Sequence, residues 1–199
     1  MSFAVFIEPE GLLKKNILRW KKKVQDKYPN QNYCLHPPHT TLIHVNVKDD
    51  EMAIVAVGEI LKYTTSFKNR IEETDIFWND RATDGGHTLF WKIQHNQKLF
   101  ELQKKVADSL HSILTPSPEP AFINNNYLQK KSFKRYGFPF VGNHWIPHLT
   151  IASLNIDQND PLIEEFLAQT CEFEFNVKEV SCWRVENDQH TCLEKYKLL

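Results

Sequence analysis

Two triplets in this chain hold the residue types best suited to acid–base chemistry, His39-Thr40-Thr41 and His148-Leu149-Thr150. On an extended strand residues i and i+2 share a face, so each triplet sets an imidazole beside a hydroxyl, while Thr40, Leu42, Leu149 and Ile151 turn the other way. If the two strands meet, two imidazoles and two hydroxyls line one cleft. That set suits cleavage of a phosphate ester. One neutral imidazole takes a proton from attacking water, and the other, protonated, gives one to the departing ribose oxygen. Thr41 and Thr150 bond the nonbridging oxygens, whose charge changes in the transition state. This chemistry requires no metal, and no cofactor is expected.

One triplet alone means little. With nine histidines and eleven threonines in 199 residues, chance supplies about half an H-x-T. The pair gains weight from its surroundings, because each triplet follows a proline (Pro38, Pro147), opens an apolar strand pattern and precedes a helical one. Residues 3 to 8 read as a strand and Leu12 to Tyr28 as a helix. His39 to Val47 alternates as a strand, and a helix runs from Asp49-Asp50-Glu51 to about Tyr63 with its acidic residues at the positive end. A third strand spans Phe67 to Trp78, and Asp80 to Gly86 ends it with turn residues. Thr88 to Gln94 is the next strand, and Asn96 caps a helix carrying Leu99, Leu102, Val106 and Leu110. After an irregular stretch come a strand from Trp145 to Leu154, a short helix from Pro161 to Ala168 and a closing hairpin, Phe173 to Val185 and Thr191 to Leu198, around Glu186-Asn187-Asp188.

Both halves thus run strand, helix, H-x-T strand, helix, strand. FAVFIEP answers TLFWKIQ, HTTLIHVNV answers HLTIASLNI, and FKNRIEETDIFW answers FEFNVKEVSCW. The expected organisation is one domain over residues 1–199, with approximate halves 1–86 and 87–199 and room for strands exchanged between lobes. Such a duplication predicts twofold-like placement of the triplets.

The composition is that of a globular protein, 41% hydrophobic and 25% charged, with a net charge of −1. That balance argues against a protein that coats duplex nucleic acid by charge alone. Cys34, Cys171, Cys182 and Cys192 form no CxxC pair, the usage of buried free thiols in a reduced compartment. No apolar window reaches the roughly 20 residues of a membrane span, and the N-terminus lacks the basic flank and apolar length of a signal peptide. A cytoplasmic monomer without membrane association is expected.

HPPHTTLIHV and WIPHLTIASL resemble the paired H-x-T/S motifs of the 2H phosphoesterases, a superfamily that includes RNA 2',3'-cyclic phosphodiesterases and the 2'-5' RNA ligase-like enzymes. The order of elements follows that family over nearly the whole chain. The resemblance implies an α+β, bilobal fold with two pseudo-symmetric antiparallel-sheet lobes, helices outside and a central active-site groove. It also implies metal-free cleavage of nucleotide phosphodiesters. His39, Thr41, His148 and Thr150 carry over, the histidines as acid and base and the threonines as phosphate ligands. Which histidine is which does not carry over.

Thr115 to His144 departs from the family pattern. It is Pro-rich, then basic and aromatic in QKKSFKRYGFPFVGNHW. Arg135, with Lys130, Lys131 and Lys134, could attract a polyphosphate, and Tyr136, Phe138 and Trp145 could stack on a base. Equally, the aromatics could anchor the segment to the core while the lysines face water. His36-x-x-His39 and His144 to His148 invite a zinc reading, but Pro37, Pro38 and Pro147 disfavour helical ligand geometry and no H-E-x-x-H is present. Glu72 and Glu73 face opposite ways on a strand. The basic run Lys21 to Lys23, with Arg19, reads as the wet side of the first helix.

Three functions follow. The first is a phosphodiesterase acting at a ribose 2' oxygen of a nucleotide or short RNA, on a 2',3'-cyclic phosphate or a 2'-5' linkage. The second is a viral or phage enzyme that degrades oligonucleotide immune messengers. The third is a noncatalytic RNA- or nucleotide-binding module, against which the intact quartet speaks.

Overall fold

The apolar run FAVFI forms β1 (Ser2–Ile7), whose residues from Phe3 onward are all buried. α1 (Gly11–Lys27) follows, then β2 (Thr40–Val45), α2 (Asp50–Leu61) and β3 (Phe67–Asp80). The second run begins with β4 (Gly86–Ile93) and α3 (Gln97–Leu110), then α4 (Tyr127–Tyr136), β5 (His148–Leu154) and α5 (Pro161–Leu167). β6 (Glu174–Val177), β7 (Glu179–Glu186) and β8 (Gln189–Lys197) close the chain. The computed structural model describes residues 2–186 and 189–199. Asn187 and Asp188, at the expected closing turn, lie outside the described residues.

The strands build two antiparallel sheets of four, ordered β2-β1-β7-β8 and β5-β4-β3-β6. The architecture is the expected α+β pair of lobes. β3, from the first half of the chain, pairs with β4 in the second sheet, and β7, from the second half, pairs with β1 in the first. The segment from Phe173 to Val185 is therefore two strands, not one. β6 pairs with the start of β3 while β7 pairs with β1, so the chain changes sheets at Lys178. The helices cross over as well, since α1 packs on β5 and α3 on β2. One continuous apolar core results, including Phe3, Ile17, Leu42, Leu61, Trp91, Leu102 and Phe166.

Helix ends follow their local chemistry. The side chains of Asp49, Asn96, Asn126 and Asp160 accept from backbone N–H groups of the first turns of α2, α3, α4 and α5. α4 replaces what reads in sequence as an irregular stretch. Its start is capped by Asn126 and its end by Gly137, whose φ of 64° suits a residue without a side chain. Gln103, with no exposed surface, clamps the segment beyond α4. Its amide donates to Phe140 O (2.7 Å) and accepts from Gly142 N (3.1 Å), fixing the approach to β5.

Three expectations are corrected. Glu72 and Glu73 do not point apart: a bulge between Ile71 and Glu73 lets both carboxylates reach Lys92, at 3.3 and 2.8 Å. Lys21 is not on the wet side of α1 but 4% exposed within it. Of the four free thiols only Cys34 and Cys182 are buried, whereas Cys192 is exposed. No helix among the described residues is long and apolar enough to cross a membrane.

Candidate active site between the two sheets

β2 and β5 are the outer strands of their sheets, and they meet across the gap between the lobes. The Thr40 hydroxyl donates to the His148 carbonyl at 2.8 Å, so the middle residue of one triplet is bonded to the first residue of the other. Burial alternates along both strands: Thr40, Leu42, Leu149 and Ile151 are inside, while His39, Thr41, His148 and Thr150 are only partly buried. Thr40→Val keeps the shape and removes the donor. It should cost about 1–2 kcal/mol through the unpaired carbonyl, read as a lower urea midpoint.

The two histidines are held alike. His39 Nδ1 lies 2.7 Å from Pro37 O, and His148 Nδ1 lies 2.7 Å from Ile146 O. A carbonyl only accepts, so each Nδ1 carries the hydrogen and each Nε2 is left to take or give a proton. The proline between anchor and histidine holds that segment extended. Among the described residues neither the Thr41 nor the Thr150 hydroxyl has a protein partner, which leaves both available to an anion.

The surroundings of the two triplets match about a pseudo-dyad. β1 pairs with β2 through Val5↔Ile43 and Phe6↔Thr41, skipping Leu42. β4 pairs with β5 through Leu89↔Ala152 and Phe90↔Thr150, skipping Ile151. Each H-x-T strand thus carries a bulge directly after its threonine. Phe6 stacks on His39 with centroids 3.8 Å apart, and Phe90 meets His148 at 5.1 Å. Behind them Trp183 and Phe77 hold equivalent places, 6.0 Å from Phe6 and 4.0 Å from Phe90. In sequence, FAVFIEP and TLFWKIQ align one residue out of step, which hides the Phe6–Phe90 equivalence.

The symmetry breaks in the charged and titratable neighbours. His190, on β8, is 5.7 Å from His39 and 4.5 Å from His36. Asp80 faces His148, its carboxylate accepting from Thr88 Oγ1 (2.7 Å) and Ala82 N (2.9 Å). Burial pushes the His39 imidazole down to about 3, helped by His190, Lys21 and His36 and opposed by the Pro37 carbonyl. Burial also lowers His148, but there the Ile146 carbonyl and Asp80 favour the charged ring. His190, Asp80, Phe6, Phe77, Phe90 and Trp183 escape a reading of the triplets alone.

These depressed imidazoles make stability pH-dependent. Below about 6.5 the unfolded chain takes protons that the partly buried, desolvated His39 refuses, so their contribution is full above that value and is lost as pH falls toward 3. Urea midpoints should fall between pH 7.5 and 5.5, and less so in His39→Gln. Equal slopes in both proteins would show that His39 titrates normally.

Among the described residues no hydrogen bond, ion pair or ring contact joins Arg135, Tyr136, Phe138 or Trp145 to the quartet. Arg135 pairs with Asp108 at 3.3 Å and lies over the Tyr136 ring. Tyr136, 7% exposed, donates to Asp108 at 3.1 Å. Phe138 packs on Phe140 and buried Trp145 on Phe100. Their contacts tie α4 and the following segment to α3.

Two lobes related by a pseudo-dyad, each offering one H-x-T strand, define the 2H phosphoesterase class. The model of the 2'-5' RNA ligase superfamily matches residues 10–189, and the chain belongs to that superfamily. TT0787 of Thermus thermophilus is similar in structure, with 15% identity and a TM-score of 0.67 over 100% of this chain and 98% of that one. E. coli LigT, solved with 3'-AMP, has 13% identity and a TM-score of 0.59 over 98% and 96%. A solved phosphoesterase has 13% identity and a TM-score of 0.59 over 98% and 97%. At these identities the likeness is one of fold. No curated protein matches the sequence significantly.

Proposed function

We propose that this chain is a metal-independent, cytoplasmic phosphodiesterase that breaks a bond at a ribose 2' oxygen of a nucleotide or short oligonucleotide. The observation that carries the reading is the bond from Thr40 to His148, which joins the two H-x-T strands, with each histidine anchored alike through Nδ1. The ligand class is supported by LigT, which shares the fold and is solved with 3'-AMP, ATP, NADP+ and phosphate.

In this reading the phosphate sits between the Nε2 atoms, with Thr41 and Thr150 donating to its nonbridging oxygens. His39, whose neighbours oppose a positive charge, is the base that takes a proton from water. His148, faced by Asp80, is the acid that protonates the departing 2' oxygen. A phosphate anion brought close raises the pKa of both rings and makes the charged His148 accessible. Arg135, Tyr136, Phe138 and Trp145 have no part in these steps.

The test is turnover of 2',3'-cyclic AMP and of 2'-5' triadenylate in EDTA. Hydrolysis of either, with a bell-shaped pH profile, is expected. Binding of both without turnover would make the protein a noncatalytic nucleotide-binding module instead.

A further inference from the structure

Lys21 is buried where a helix normally carries an apolar residue. The inward positions of α1 are Leu13, Ile17, Trp20, Lys21 and Val24, a continuous helical stripe with one lysine in it. The inward positions of α3 include Leu99, Gln103, Val106, Ala107 and Leu110 at the same spacing, which sets Ala107 opposite Lys21 in the pseudo-symmetric scheme. Burying an ammonium costs free energy that alanine or methionine would not incur. The second lobe does without it, so the packing of helix on sheet does not require it.

The lysine's two partners locate its use. Its Nζ donates to Ile151 O at 2.8 Å and to Tyr33 O at 2.7 Å. Ile151 is the bulged residue after Thr150, the one β4 skips. A bulge leaves its extra residue outside the ladder, and a buried carbonyl there needs a donor. Tyr33 begins the segment that carries His36 and runs into Pro37, the anchor of His39. One nitrogen therefore ties the phosphate-facing strand of the second lobe to the approach to the first lobe's histidine. The titratable groups that face His39 are His36 from that segment, His190 from β8 and Lys21 from α1, while Cys34 faces Lys21. Burial pushes the ammonium down to about 8, so it remains largely charged at neutral pH.

We propose that Lys21 is a positioning residue of the phosphodiester site, fixing the bulge beside Thr150 against the His39 segment and so holding the His39 ring in place in the groove. This rests on the reading of the groove as a phosphodiesterase site. Lys21→Met keeps the length and loses donor and charge together, whereas Lys21→Arg keeps both.

The experiment follows His39 through its NMR titration in the wild type, Lys21→Met and Lys21→Arg, with the resonance assigned from His39→Gln, and measures turnover of 2',3'-cyclic AMP alongside. In Lys21→Met the His39 midpoint should rise by about half a pH unit or more. Turnover should fall about tenfold, with a smaller change in KM and an acidic limb moved to higher pH. Lys21→Arg should restore both. If Lys21→Met does not fold, Lys21→Gln, which is too short to bond both the Tyr33 and Ile151 carbonyls, gives the same titration. An unshifted His39 midpoint in a folded, uncharged variant overturns the proposal, as does unchanged turnover in an active protein. The titration needs no turnover: an inert wild type overturns the phosphodiesterase reading, whereas an active enzyme with an unshifted midpoint overturns only the role of Lys21.

Discussion

Replacing His39 or His148 by alanine should lower turnover of the reactive phosphodiester by about 10² to 10⁴-fold, the range for a positioned general acid or base. Both rings lie at strand entrances and are only partly buried, so neither removal opens a sealed cavity. The folded state should therefore survive, and the loss should appear in kcat more than in KM. The Nδ1 anchors sharpen the expectation. Each imidazole presents Nε2 because a carbonyl fixes the other nitrogen as a donor, so asparagine, which cannot exchange a proton near neutral pH, should be as poor as alanine. If the two histidines act in one event, the double variant should be little worse than either single one, as is usual for groups that work as a unit. Losses that multiply would mean that they act in separate steps.

Phe90→Ala should be the most damaging change beside the site. Phe90 has no exposed surface, stacks on Phe77 with centroids 4.0 Å apart, meets the His148 ring and pairs across strands with Thr150. Truncating a buried phenylalanine costs about 3–5 kcal/mol through lost burial and the cavity left behind. That is a large part of the stability of a domain this size. Urea unfolding measures it directly. Phe90→Leu should cost much less because it refills most of the volume. It should still lower kcat, because leucine cannot present a ring edge to His148. A leucine variant with full activity would show that the phenylalanine supports only the core.

The periodic parts of the fold are legible in sequence because they answer to local rules. The inward stripe of α3, the cap Asn96, the first-turn Pro161 of α5, and the alternation around both triplets carry enough signal to set elements and order. What escapes is set by pairing at a distance. The change of sheet at Lys178 depends on β3 and β1 lying in different sheets, and no residue of Phe173 to Val185 announces it. The equivalence of Phe6 and Phe90 is set by their pairing with Thr41 and Thr150, and laying FAVFIEP on TLFWKIQ one residue out of step misses it. α4 is signalled only by Asn126 and Gly137, easily lost among prolines. Lys21 is hidden for the opposite reason. Its spacing from Leu13 and Ile17 is that of a core position, but its charge marks it as surface until Ile151 and Tyr33 supply acceptors.

The groove itself depends on two strand edges meeting, which no local pattern encodes. A crystal structure of the wild type with 3'-AMP tests that claim most directly. The phosphate should lie within about 2.6–3.2 Å of Nε2 of both His39 and His148, with the Thr41 and Thr150 hydroxyls on its nonbridging oxygens. A phosphate held by one triplet alone, or bound outside the groove between β2 and β5, would contradict the account.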